Sequence, residues 1–312
     1  MKLESDTNLN TKNEIWPNFF IVGAAKAGTT SLYSYLIKVP EVFMPSRKEP
    51  HFFAPNVISQ SYFHKVSSKE EYRTLFQGVR NQIMIGEASP TYLWDKDSPR
   101  LIHEMIPNAK IIIMLRDPVA RAYSHYLHHV RDGWENRTFD AAIREDYSSD
   151  GGTVWKVPNV YVHQGLYSKQ VKRYFDIFDP SNIKIIVFEE FVRDTRRYVS
   201  EVMKFLGINS AVPSNVEEVY NPFFVSRNRF TPSIVDSLTR FIHSSTLAYK
   251  VTHIVPDKVI FKIAFKLFFK EGKKPPMSHE AKEFLDGIYY EDVQQLENLL
   301  DRPLHWTVPR MP

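Results

Sequence analysis

The chain has 312 residues, 43% apolar and 24% charged, with a formal charge of +4 at pH 7 and no cysteine. This is enough chain to bury a sizeable core. The mild positive charge fits an anionic ligand better than a nucleic acid, which asks for denser basic clustering. The lack of cysteine excludes disulfide frameworks, thiolate metal sites and cysteine nucleophiles together, and it fits a reducing, cytoplasmic setting.

Residues 1–15 read as a polar, mobile tail, with order expected from Trp16 as a single domain over 16–312. The opening residues lack the apolar core of a secretory signal, and no stretch reaches the roughly 18 to 20 apolar residues of a membrane span. The expectation is a soluble protein, peripheral to a membrane at most.

Four short runs predict buried strands: "FFIVG" from Phe19, "IMIGEAS" from Ile83, "KIIIMLR" from Lys110 and "KIIVFE" from Lys184. Continuous apolar runs suit a parallel sheet covered on both faces. Helical patterns fall between and after them, over 29–38, 98–106, 118–131, 163–178 and 190–206. The alternation predicts an α/β fold with a doubly wound parallel sheet flanked by helices, whose ligands sit beyond the carboxyl ends of the strands.

From about residue 230 the chain reads as extra C-terminal helices. The last, 278–300, begins with a Ser278 cap and carries apolar residues at three- and four-residue intervals. Before it, Lys258, Lys262, Lys266 and Lys270 recur every fourth residue along an apolar segment over 257–270. That stripe reads either as a core helix showing lysines to water or as an interfacial helix meeting an anionic membrane surface at its inner face.

Three stretches carry chemistry. "FFIVGAAKAGTTSL" is strand, glycine loop and helix start, the arrangement in which backbone N–H groups meet a phosphate. Gly23 and Gly28 keep the spacing of a nucleotide loop, but Thr29 stands where the lysine belongs and Lys26 lies inside the turn. "LRDPVARAYSHYLHHV" holds Arg116 at a strand end, with Asp117 and Pro118 starting a helix that carries Ser124, a pair suited to a second phosphate. "RKEPHFFA", 47–54, gathers Arg47, Lys48, Glu49 and His51 in a loop, which reads equally as a site or as a solvated charged segment.

Together these stretches resemble the sulfotransferase family that uses 3'-phosphoadenosine 5'-phosphosulfate (PAPS), and most of all its heparan-sulfate type and bacterial relatives. The resemblance covers about Phe19 to Phe205, with a weaker echo in "YYEDVQQLENLLDRPLHW". It implies a P-loop-like fold and a metal-free sulfuryl transfer to a hydroxyl, or an amine, of a glycan or glycolipid. A small-molecule alcohol or phenol is the alternative acceptor.

By the same resemblance Lys26 holds the bridging oxygen of the donor and neutralises its departing 5'-phosphate. Thr29, Thr30 and Ser31, with the backbone of Ala27 and Gly28, bind that phosphate, and Arg116 with Ser124 binds the 3'-phosphate. Glu49 takes the acceptor proton, His51 is the runner-up base, and Lys48 steers the sulfuryl group or an anionic acceptor. Adenosine 3',5'-bisphosphate is the implied product.

The sequence departs from the heparan-type pattern at "GEASP", where Ala88 replaces a lysine, and it lacks the cysteine-bridged loop and the basic Lys-Gly-Arg turn. Arg227 or Arg229 is a candidate substitute at the 3'-phosphate. Tyr167 reads as a core residue rather than an adenine or substrate contact, and His125, His128 and His129 read as solvated or capped. Two other functions compete. A P-loop kinase would need ATP and magnesium, and a non-catalytic nucleotide-binding module would be indifferent to loss of Lys26 and Glu49.

Overall fold

The apolar runs pair side by side as parallel strands. In chain order they are β1 (Phe19–Gly23), β2 (Val42–Phe43), β3 (Met84–Ala88), β4 (Lys110–Leu115) and β5 (Ile183–Val187), and they lie in the sheet as β2-β3-β1-β4-β5. The register sets Phe19 beside Gly86 on one side and Lys110 on the other, and carries Leu115 to Val187 across the outer pair. All of β1 and all but the first residue of β4 are buried, as strands covered on both faces require. Gly86 is glycine for packing: a Cβ there would lie 2.1 Å from the Phe19 ring and 2.4 Å from Met44 Sδ.

This computed structural model describes residues 15–56, 65–132, 134–149, 160–214, 216, 224–226 and 269–306. Its helices are α1 (Thr29–Leu36), α2 (Lys69–Thr74), α3 (Ser98–Met105), α4 (Pro118–Asp132), α5 (Phe139–Ser148), α6 (Tyr167–Phe175), α7 (Phe188–Arg193), α8 (Thr195–Phe205) and α9 (His279–Leu300). A short antiparallel pair, β6 (Phe224–Ser226) and β7 (Phe269–Glu271), stands outside the main sheet. Among the described residues no helix is long and apolar enough to cross a membrane.

One apolar cluster surrounds the sheet. A second joins Val119 and Ala122 of α4 and Phe139 and Ile143 of α5 to Leu285 and Tyr289 of α9, and Trp306 packs against both. The long C-terminal helix is thereby built into the body of the domain. Its Ser278 cap accepts the Ala281 amide at 3.1 Å and donates to Asp140 at 2.8 Å, fastening the helix start to α5.

Three expectations need correction. The helix expected over 163–178 is a 3-10 turn at His163–Gly165 followed by the shorter α6. The helix expected over 190–206 is broken at Asp194, whose carboxylate caps α8 by accepting the Arg197 amide at 3.1 Å. The lysine-striped segment lies mostly outside the described residues, as do Arg227 and Arg229, but Lys270 stands in strand β7, so that helix does not run to its expected end.

Candidate functional site

Parallel strands deliver their following loops to one edge of the sheet. The loops after β1, β2, β3 and β4 carry "AAKAG", "RKEPHFF", "SPTY" and "RDP" to that edge. Strands β1 and β4 are neighbours whose chains leave toward opposite halves of the sheet. This is the topological switch point at which open α/β sheets bind ligands.

The loop after β1 is pinned at its start by the Ala24 amide, which donates to Met114 O at 2.6 Å. Lys26 and Gly28 both adopt left-handed backbone, with φ of 69° and 89°. At Gly28 a Cβ would meet the Phe188 ring at 2.9 Å, so the close approach of the turn to the start of α7 also demands glycine. Helix α1 begins on Gly28 with no side-chain cap and no acidic residue in its first turn. A helix start without a side-chain cap, here among Thr29, Thr30 and Ser31, is suited to an anion.

Arg116, at the end of β4, donates from Nη1 to Lys26 O at 3.0 Å and lies over the Phe188 ring at 4.6 Å. Its Nε and the Tyr167 hydroxyl are both buried without a hydrogen-bond partner. Unsatisfied polar groups of this kind are costly in a finished core and ask for a polar ligand. Burial pulls the Arg116 pKa down despite the Glu189 carboxylate nearby. Tyr167 is thus fully buried, as expected of a core residue, but its hydroxyl faces the charged groups around Arg116 and Arg121.

Asp117 caps α4 by accepting the Ala120 amide at 2.9 Å, which fixes the helix that bears Ser124. One turn of chain from far downstream crosses here. The Tyr123 hydroxyl donates to the carbonyls of Pro275 and Pro276 at 3.0 and 3.2 Å, and the exposed Lys274 comes near enough to Arg116 for that cation, after burial, to depress its pKa. Sequence reading missed Lys274 because the segment "KEGKK" has no fixed spacing from the motifs it joins.

Lys26 is the electrostatic centre of the edge. Burial is the main cause that brings its pKa down to about 8; Arg131 and Arg116 push the same way, while Asp132 and Glu49 oppose them. Ser124, His128 and Asp132 share one face of α4 at four-residue spacing, and that face includes Lys26's neighbours. His128 Nδ1 lies 3.5 Å from Asp132, whose other oxygen accepts from Arg131 Nε at 2.7 Å. Burial and then the Lys26 charge hold His128 far below the ordinary histidine pKa, so it stands there neutral. The interval from Ser124 could have disclosed His128 in the sequence. The expectation of solvated or capped histidines fails for His125 and His129, which are buried in a polar cluster with Arg121 and Tyr161.

The loop after β2 turns back through two left-handed non-glycine residues, Glu49 at φ 60° and His51 at φ 54°. Lys48 donates to Glu49 Oε1, and His51 Nε2 lies 3.9 Å from Glu49 Oε2. Burial alone would raise the Glu49 pKa, but Lys48, His51 and Lys26 together hold it below the ordinary glutamate value. The Glu49 side chain is 39% exposed and that of His51 only 3%, with His51 Nδ1 hydrogen-bonded to the Thr91 hydroxyl at 2.8 Å. Arg47 points elsewhere, to Glu71 at 2.8 Å.

The sequence motifs therefore converge: Lys26 lies within electrostatic reach of both Glu49 and Arg116. Residues 17–211 match the model of the sulfotransferase family. The chain is 29% identical over 245 residues to human carbohydrate sulfotransferase 15, covering 62% of this chain and 44% of that protein. It is 26% identical over 300 residues to mouse bifunctional heparan sulfate N-deacetylase/N-sulfotransferase 4, covering 92% of this chain and 30% of that protein. The chain thus spans less than half the length of these curated relatives. A crystal structure of a sulfotransferase from Alicyclobacillus acidocaldarius superposes with a TM-score of 0.68 at 30% identity, covering 92% of this chain and 97% of that one. With the motifs, the sheet order and the matched span in agreement, the chain belongs to the sulfotransferase family.

Proposed function

We propose that this protein transfers a sulfuryl group from PAPS to a hydroxyl of a glycan. The observation that carries the reading is Lys26, a half-buried ammonium within electrostatic reach of both the Glu49 carboxylate and the Arg116 guanidinium. Sulfuryl transfer needs an acceptor-side base, a cation at the bridging oxygen and an anion clamp on the departing side, in that order. The residues fit such a donor: uncapped N–H groups at α1 suit its 5'-phosphate, and the orphaned Arg116 Nε suits a further anionic group.

PAPS supplies the activated sulfuryl group. Glu49 takes the proton of the acceptor hydroxyl as the acceptor oxygen bonds to sulfur and the bond from sulfur to the 5'-phosphate oxygen breaks. Lys26 meets the charge left on that phosphate. Exposure supports Glu49 over His51 as the base: the Glu49 side chain is open to an acceptor, whereas His51 is buried with one ring nitrogen tied to Thr91. Arg116 and Ser124 bind the 3'-phosphate, and Lys274, which lies within electrostatic reach of Arg116, adds a further cation there. Relatives named as carbohydrate sulfotransferase 15 and heparan sulfate glucosamine 3-O-sulfotransferase 6 favour a glycan hydroxyl as acceptor.

Ligand-induced thermal shift tests the donor. Adenosine 3',5'-bisphosphate should raise the unfolding temperature, since a ligand that binds only the folded state stabilises it by mass action. Stabilisation by ATP with magnesium and none by the bisphosphate would return the chain to the kinase reading. Labelled PAPS with a panel of glycan and small-molecule alcohols then identifies the acceptor class.

A further inference from the structure

Behind the base loop lies a carboxylate with no part in the chemistry described so far. Glu87, near the end of β3, is fully buried and accepts three hydroxyl protons: from Ser89 at 2.6 Å, from Tyr92 at 2.7 Å and from Tyr72 of α2 at 2.9 Å. A hydroxyl has one proton to give and two lone pairs to offer. Ser89 and Tyr92 spend their protons on Glu87, and their lone pairs then face the base loop. Ser89 Oγ accepts the His51 amide at 3.1 Å, and the Tyr92 oxygen accepts the Phe53 amide at 3.2 Å.

Those two amides lie within and just after the strained part of the loop. Glu49 and His51 hold left-handed conformations that non-glycine residues keep only where their surroundings enforce them. The Glu49 amide adds a contact to Ala88 O at 3.1 Å, so the whole turn is laid against residues 88–92. The stacked ring of Phe52 on Tyr72, at 4.3 Å, ties the loop to the same tyrosine that donates to Glu87.

We infer that Glu87 is a positioning residue: ionised, it turns the Ser89 and Tyr92 hydroxyls so that they receive the loop amides and hold Glu49 toward the acceptor. A neutral carboxylic acid carries a proton of its own. Facing three hydroxyl donors, it turns at least one of them into an acceptor, and a Ser89 or Tyr92 in that role divides its lone pairs between Glu87 and the loop amide and loses the donated bond that fixed its orientation. Burial raises the Glu87 pKa to about 7, against the three hydroxyls and Lys48, which favour the charged form. The groups around it are Tyr72 from α2, Ser89 and Tyr92 from the turn after β3, Lys48 from the base loop and Tyr174 from α6, whose hydroxyl donates to Tyr92 O at 2.8 Å. The loop scaffold therefore switches near neutral pH, while Glu49, with its lowered pKa, stays ionised further into acid.

The catalytic consequence rests on Glu49 being the base; the loop geometry does not, and the test separates them. Amide hydrogen exchange at His51 and Phe53 reads the loop with no donor or acceptor present. At pH 8, Glu87→Gln should exchange about tenfold faster than wild type at both amides, because the glutamine NH2 must donate where the carboxylate accepted. In wild type, exchange corrected for its intrinsic pH dependence should rise as pH falls through about 7. Ser89→Ala should expose His51, Tyr92→Phe should expose Phe53, and combining Ser89→Ala with Glu87→Gln should add nothing at His51.

In sulfuryl transfer, Glu87→Gln should lower kcat by about tenfold, with binding of adenosine 3',5'-bisphosphate changed by less than about twofold, since its partners lie on the base loop. Should Glu87→Gln fail to fold, the wild-type pH series and the Ser89 and Tyr92 variants decide the matter. Unchanged protection at His51 and Phe53, or additive effects of Glu87 and Ser89, would overturn the inference. Faster exchange with an unchanged kcat would overturn its link to catalysis.

Discussion

The two halves of the site are held in different ways. On the donor side, Lys26, Gly28 and Arg116 sit directly on the ends of β1 and β4, one or a few residues from strands that are almost wholly buried. On the acceptor side, Glu49 and His51 sit on a long loop after a two-residue strand, and their geometry comes from Ser89, Thr91 and Tyr92, some forty positions away in the chain. Backbone topology builds the first half and side-chain hydrogen bonds build the second. Substitutions on the donor side should therefore change charge without changing shape, and those on the acceptor side should do both.

The largest effect is expected at Lys26. Lys26→Met keeps most of the side-chain volume and removes the cation coupled to both Glu49 and Arg116, so transfer should fall by about 10²- to 10³-fold. Its stability should move the other way. The amine keeps its proton to about pH 8 in the fold against 10.5 in the unfolded chain, so burying the charged form costs stability at all pH values below about 8, and that cost fades as pH rises from 8 toward 10.5. Below pH 8 the methionine variant should melt no lower than wild type, and wild-type transfer should decline above about pH 8 as Lys26 loses its charge. A variant that loses activity together with several degrees of melting temperature would instead make Lys26 a structural residue.

Second in size is the contrast between Glu49 and His51. A general base contributes from about 10²-fold upward, so Glu49→Gln, which leaves Lys26 and the anion clamp intact, should lose about 10²-fold in kcat with little change in affinity for adenosine 3',5'-bisphosphate. His51→Asn keeps a polar group for Thr91 and leaves Glu49 in place, and a loss of about tenfold is expected from misplacement alone. If the two losses are reversed in size, the base is His51 and the carboxylate orients it.

The same contrast explains what could be read from the chain. β1, β3, β4 and β5 announce themselves as continuous apolar runs, and α9 as an amphipathic period with a serine cap, because each depends on residues close in sequence. Lys26, Gly28 and Arg116 are legible for the same reason. β2 is two residues long and carries no pattern, and α2, although capped by Ser68, is six residues. The break between α7 and α8 turns on one aspartate in a segment whose helical period runs on through it. Glu87 reads as an ordinary polar residue in "GEASP": Ser89 and Tyr92 are close in sequence, but nothing local says that their hydroxyls turn back onto it or that Tyr72 of α2 joins them.

The smallest effect separates topology from long-range assembly within the donor side itself. Arg116 is placed by β4, whereas Lys274 is held near it by contacts far apart in the chain, among them the Tyr123 hydroxyl on the carbonyls of Pro275 and Pro276. Lys274 is exposed, so its attraction for a phosphate is screened, and Lys274→Met should weaken adenosine 3',5'-bisphosphate by about tenfold at low salt and less at high salt. Adenosine 5'-phosphate, which lacks the 3'-phosphate, should bind the variant and wild type alike. Tyr123→Phe leaves every charge in place and frees the segment that carries Lys274. Calorimetry on that variant should show part of the same loss, again confined to the bisphosphate, whereas equal loss for both nucleotides would mean that the segment closes over the adenosine rather than gripping its 3'-phosphate.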